Sequence, residues 1–217
     1  MKNKIFFTVI LLLLIPIIYL ASIWSSLPTT VAIHFSLQGE ADRYGSKNEV
    51  IIPIAILSLV AIIVFSLLSN VHRIAPKMAS IENKNRMEKI SLSIVAFIVV
   101  IQCWLIYIIQ KSEFIFSIKF VLIAVWLLFA IIGNYMPNMK PNYVAGFRLP
   151  WALKNEDNWR KTHHIAGRLW FGGGLLSAVL CFLLPFKFAV ISSILIFSVL
   201  ILWPTIYSYR LYKKTKC

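Results

Sequence analysis

Acidic side chains are scarce in this chain. Eight Asp and Glu stand against 22 Lys and Arg in 217 residues, and only 14% of the residues are charged. An average soluble domain carries about 25%, and a soluble protein could not hide the apolar surface that this leaves. Cysteine is scarce too: Cys103, Cys181 and Cys217 have neither metal-site nor redox spacing, which argues against a disulfide framework. They read as small apolar side chains and a tail thiol. No Asp, Glu or Arg falls in the middle of a long apolar run. A charge there costs about 2.5–3.5 kcal/mol or more and is normally kept for function, so its absence counts against a coupled transporter. No Ser, Cys or carboxylate constellation accompanies the adjacent His163 and His164, so neither an enzyme nor a cofactor is expected.

What the chain has is apolar length. Fifty-nine per cent of its residues are hydrophobic, and they fall into runs near the roughly 20 residues that cross a bilayer as a helix. The expected fold is all-α: a polytopic membrane protein of about six transmembrane helices, near 5–24, 50–69, 90–110, 116–135, 168–185 and 187–209. Lys2 and Lys4 before the first run imitate a signal peptide, but the run is too long for one and Tyr19-Leu20-Ala21 is a poor cleavage site; an uncleaved span is expected. The net charge of +14 is not concentrated in one basic domain, so no direct nucleic-acid binding is expected. Placing both termini in the cytoplasm puts 17 Lys and Arg inside and five outside, the bias that sets membrane topology. The chain then divides into residues 1–69, a two-span unit with the extracytoplasmic loop 25–49; 70–89, a basic cytoplasmic loop; and 90–217, a four-span unit with the cytoplasmic loop 136–167. No internal repeat suggests an inverted-repeat transporter.

Two loops carry the chemistry. Outside, Leu27-Pro28 and His34-Phe35 lead into Gly39, Asp42, Gly45 and Lys47, residues that suit an ordered turn. His34 and Asp42, with Glu40, also suggest a cation or peptide site, or a pH sensor, although this spacing is a weak metal signal. Inside, Pro137, Pro141 and Pro150 forbid a continuous helix, Asn134, Asn138 and Asn142 suit turns, and Gly146 permits positive φ. From Asn155 the pattern turns helical, with Asn155 or Asp157 as cap. Trp159, His163, Ala166 and Trp170 share one face, Arg160, His164 and Arg168 occupy the next, and Glu156 can pair with Arg160. This reads as an interfacial amphipathic helix entering the fifth span, with its aromatic face at the acyl boundary and its cations at lipid phosphates. Gly172-Gly-Gly174 with Ser177 suits a close helix crossing.

The inside stretch Gly133-Asn134, Asn142, Gly146-Phe-Arg148, Pro150-Trp151-Ala-Leu153-Lys154, Glu156 and Trp159 resembles the signature of the SdpI family. The pattern Leu27-Pro28, His34-Phe35, Gly39, Asp42, Lys47 resembles the domain of unknown function common at the N-terminus of that family. One departure is Leu149, where many relatives have Thr. The resemblance implies a bacterial plasma-membrane protein that protects against a secreted toxin peptide. It also implies a signalling receptor that holds a cytoplasmic repressor at the membrane. The residues expected to meet these partners are His34, Gly39, Asp42 and Lys47 outside. Inside they are Asn134, Asn142, Gly146, Arg148, Pro150, Trp151, Trp159, His163 and Arg168. The alternatives are an orphan membrane sensor and a small transporter or lipid-interacting membrane protein.

Overall fold

The computed structural model of the chain describes residues 2–35, 41–70, 81–111, 117–142 and 145–215. Six helices in it are long and apolar enough to cross a membrane: α1 (Lys2–Ile23), α2 (Ile51–Ser69), α3 (Ile81–Lys111), α4 (Ser117–Tyr135), α5 (Glu156–Leu183) and α6 (Phe186–Lys214). The chain is a multi-pass membrane protein, as its apolar runs require. Helices satisfy every backbone group internally where no water can.

Two local expectations are corrected. The loop 25–49 is not free of strands: β1 (Thr30–Phe35) and β2 (Ala41–Ser46) form an antiparallel hairpin in an otherwise helical chain. Thr30, Val31 and Ile33 are β-branched and favour a pleated, half-buried surface. The basic connection 70–89 is helical over its second half, because α3 already begins at Ile81. No Pro or Gly interrupts residues 81–111, and Lys84 and Glu88 form an i,i+4 pair at 3.9 Å. The amphipathic segment after Asn155 runs without a break into the fifth span, as expected. It is the first part of α5, whose 28 residues span about 42 Å and so overreach an apolar core of about 30 Å.

The chain forms two compact units. One comprises residues 1–65 and 92–121. In it Val9, Ala61, Val95, Ile98 and Val99 form an apolar centre, and Leu20, Leu27, Val31, Val50, Ile54 and Ile106 form a second beneath the hairpin. Gln102 is fully buried there. Its amide donates to the Ile54 carbonyl at 2.8 Å and the Ser58 hydroxyl at 2.9 Å, tying α3 to α2. The other unit comprises residues 66–91 and 122–217. Trp126, Ala178, Cys181, Ala189 and Leu200 are its apolar centre, and Trp126 donates its indole N–H to Ser193 at 2.9 Å.

Small residues let α4 and α5 touch. A Cβ on Gly174 would lie 2.7 Å from the Trp126 carbonyl, whereas one on Gly172 would meet open space. Higher on the same seam, a Cβ on Gly167 would sit 2.5 Å from Pro137 Cδ, and one on Gly133 would sit 2.9 Å from the Gly167 carbonyl. Gly167→Ala is therefore expected to part the helices and cost about 1–3 kcal/mol, read as a lowered melting temperature in detergent. Gly172→Ala should leave the melting temperature unchanged or raise it, since Ala is the better helix former.

Candidate functional site: a loop clamped to the last two helices

The loop after α4 must stop being helical and still satisfy its backbone. Pro137 lies in a single 3-10 turn over Met136–Asn138, and Pro150 opens a short helical turn ending at Leu153. Between them side chains replace the missing ladder. Asn142, 1% exposed, accepts the Ala145 N–H at 2.7 Å and donates to the Lys140 carbonyl at 2.9 Å. Trp159 donates its indole N–H to the Met139 carbonyl at 2.8 Å. Gly146 has φ 97°, a conformation that only glycine adopts readily, and a Cβ there would run into His163 Nε2.

His163 closes this loop. The Phe147 N–H can only donate, and it meets His163 Nε2 at 3.0 Å. The Trp159 carbonyl can only accept, and it meets His163 Nδ1 at 2.9 Å. The ring is therefore neutral with its proton on Nδ1. It also stacks on Trp159 with centroids 3.9 Å apart. Phe147 then contacts both His163 and Trp170, and Trp170 packs on Phe129 at 4.6 Å, so an aromatic column runs from the loop into the helices.

A second polar knot joins α5 to α6. Buried Asn158 Oδ1 accepts from Ser208 Oγ at 2.6 Å and Thr162 Oγ1 at 3.0 Å, while its amide donates to the Ser208 carbonyl at 3.0 Å. Trp151 reaches the same hydroxyl, donating from Nε1 at 3.0 Å. Its ring packs against Tyr209 and Tyr212.

The expected aromatic face thus exists but does not lie at the acyl boundary. Trp159 and His163 are 1% and 0% exposed, and Ala166 is buried: the face turns inward because its ring nitrogens serve the loop backbone. Asn155 is the cap, accepting the Asn158 N–H at 2.9 Å. Glu156 does not pair with Arg160. It lies 3.7 Å from Lys140, while Asp157 takes Arg160 at 2.8 Å and Lys161 at 2.6 Å. Among the expected inside residues, Asn142, Gly146, Trp151, Trp159 and His163 converge on the clamp, and Pro150 starts its helical turn. Asn134, Arg148 and Arg168 are exposed. Sequence reasoning missed Met139, Asn158, Thr162 and Ser208. The i,i+4 spacing of Asn158 and Thr162 was a readable signal; Ser208, 50 residues on, offered none.

In the other unit, His34 Nδ1 lies 2.6 Å from Asp42 Oδ1, with both side chains exposed. Lys47 sits 5.2 Å over the Trp24 ring, and Ser46 and Glu49 form a reciprocal capping box. Gly39 and Glu40 lie outside the described residues.

Residues 138–208 match the model of the SdpI/YfhL protein family, and residues 11–59 match the domain of unknown function DUF1648. The immunity protein SdpI of Bacillus subtilis (strain 168) is 30% identical over 117 residues, 51% of this chain and 56% of that relative. The matched part is thus little more than half the length of the curated relative. No solved structure matches the chain. The resemblance carried by both loops is met, each by its own family model.

His163→Leu strands the Phe147 N–H and should cost about 1–3 kcal/mol. Gly146→Ala forces a left-handed backbone against the same ring and should cost a similar amount. The double variant should lose less than the sum, because both changes break one contact. Melting temperatures of the three variants in detergent check this.

Proposed function

We propose that this chain is a bacterial plasma-membrane immunity protein that protects its cell against a secreted peptide toxin. The observation that carries the reading is a coincidence of boundaries. The family match begins at Asn138, in the turn where the clamped loop starts, and ends at Ser208, the hydroxyl that closes the α5–α6 knot. The family signature therefore coincides with one physical object. The relative named as an immunity protein supports the activity.

In this reading both termini and the clamped loop face the cytoplasm, the side favoured by the Lys and Arg distribution. The hairpin with His34, Asp42 and Lys47 faces outward and meets the toxin. Arg148 and Arg168 are exposed, so they, rather than the buried Trp159 and His163, meet a protein partner inside. That partner is a cytoplasmic transcriptional repressor held at the membrane. Toxin outside then biases a helix arrangement that the inside loop reports.

The structure separates two kinds of variant. Trp159→Ala removes a buried indole and should cost about 3–5 kcal/mol, so it lowers protection by lowering folded protein. Arg148→Ala should leave membrane level and melting temperature unchanged and still reduce survival of toxin-exposed cells. Full protection by Arg148→Ala at equal membrane level would remove that side chain from the mechanism. No protection by the wild-type chain would overturn the immunity reading.

A further inference from the structure

Beneath the hairpin, α2 and α3 leave a cleft of about 350 Å³. Ile52 and Ile56 line it from α2, and Leu105 and Ile109 from α3. Arg43 of β2 and Glu49 of the capping turn are its charged groups. Both are exposed, and among the described residues neither forms an ion pair. Glu49 keeps one oxygen on the Ser46 N–H at 2.9 Å. Its other oxygen has no hydrogen-bond partner among the described residues. The rim sits where α1 has ended at Ile23 and α2 begins at Ile51, and Trp24 packs on the apolar cluster that contains Val50 and Ile54. That is the depth of lipid headgroups, where interfacial aromatics gather.

A wholly apolar cleft would accept any acyl chain. This one carries one cation and one anion, which is the complement of a headgroup that itself carries one of each. Guanidinium suits a phosphate, which it can meet with two N–H groups. A carboxylate suits a primary ammonium, which offers three N–H donors. A second groove on α1 and α2, of about 570 Å³ and lined by Ile17, Leu20 and Trp24, has no charged residue in its lining and makes no such selection.

We propose that this cleft is a binding site for a zwitterionic phospholipid of the phosphatidylethanolamine class. Its phosphate lies on Arg43, its ammonium on Glu49, and one acyl chain lies between α2 and α3. The proposal is independent of the immunity reading, because it requires only that the hairpin lie at a membrane interface.

The full-length chain, purified in mild detergent and exchanged with equal amounts of phosphatidylethanolamine, phosphatidylcholine and phosphatidylglycerol, would be measured by native mass spectrometry. The wild type should retain the ethanolamine lipid about tenfold over the other two, the size expected for one charge-assisted hydrogen bond. Choline has no N–H to donate and glycerol has no ammonium. Glu49→Gln keeps an oxygen for the Ser46 N–H and should abolish the preference by lowering retention of the ethanolamine lipid to that of the other two. Arg43→Ala should lower retention of all three, as should Ile56→Trp, which fills the cleft. Equal retention of the three lipids by the wild type overturns the proposal, and so does an unchanged preference in Glu49→Gln.

Discussion

An irregular segment packed against membrane helices has no ladder of its own and little water to replace one, so its backbone groups must find side chains. In the loop after α4 that requirement falls on a few side chains, and the neutral imidazole of His163 is central among them. It takes the Phe147 N–H on one nitrogen and serves the Trp159 carbonyl with the other. Two further features follow from this ring. Gly146 has to be glycine, because its backbone is left-handed and presses on the imidazole. Trp159 has to face inward, because it stacks on His163 and holds the Met139 carbonyl. Buried polar groups in such a network are costly when left half satisfied, which couples the loop's shape to the integrity of α5.

The Asn158 knot applies the same logic between helices. Apolar contact alone gives helices little reason to associate within lipid, so small residues and polar links define the contact. Gly133, Gly167 and Gly174 supply the close approach of α4 and α5, and Asn158, Thr162 and Ser208 supply the link from α5 to α6. Trp151 joins the knot from the loop side, so the short turn at Pro150 is tethered to the last helix. Exposed Arg148 lies between these two tethered points, on a backbone fixed from both sides. In the proposed reading, that support holds the side chain toward its partner.

Amphipathic pattern was a sound guide to which residues share a face and a poor guide to what that face meets. Trp159, His163 and Ala166 do share one, but a helix wheel cannot tell a protein loop from an acyl boundary, since both are apolar. The ring nitrogens were the overlooked clue: a buried indole or imidazole usually needs a partner, and the loop backbone offers several. Likewise, Thr30, Val31 and Ile33 carried strand propensity inside a segment that composition presented as a turn. Ser208 was beyond reach, because a lone Ser in an apolar helix gives no sign of a partner 50 positions away.

Local chemistry in the sequence determined the number of spans, the breaks at Pro137 and Pro150, a cap at Asn155 or Asp157 and the backbone freedom at Gly146. Each follows from properties that act within a few residues: apolar length, a missing N–H, a missing Cβ. Tertiary structure alone decided that the aromatic face closes on a loop, that Glu156 meets Lys140 instead of Arg160, and that Asn158 accepts from the Ser208 hydroxyl. It also decided that Arg43 and Glu49 border one cleft. These pairings are made in space between segments distant in sequence or turned by backbone geometry. A hydrogen bond or a cleft depends on distances that no one-dimensional pattern encodes.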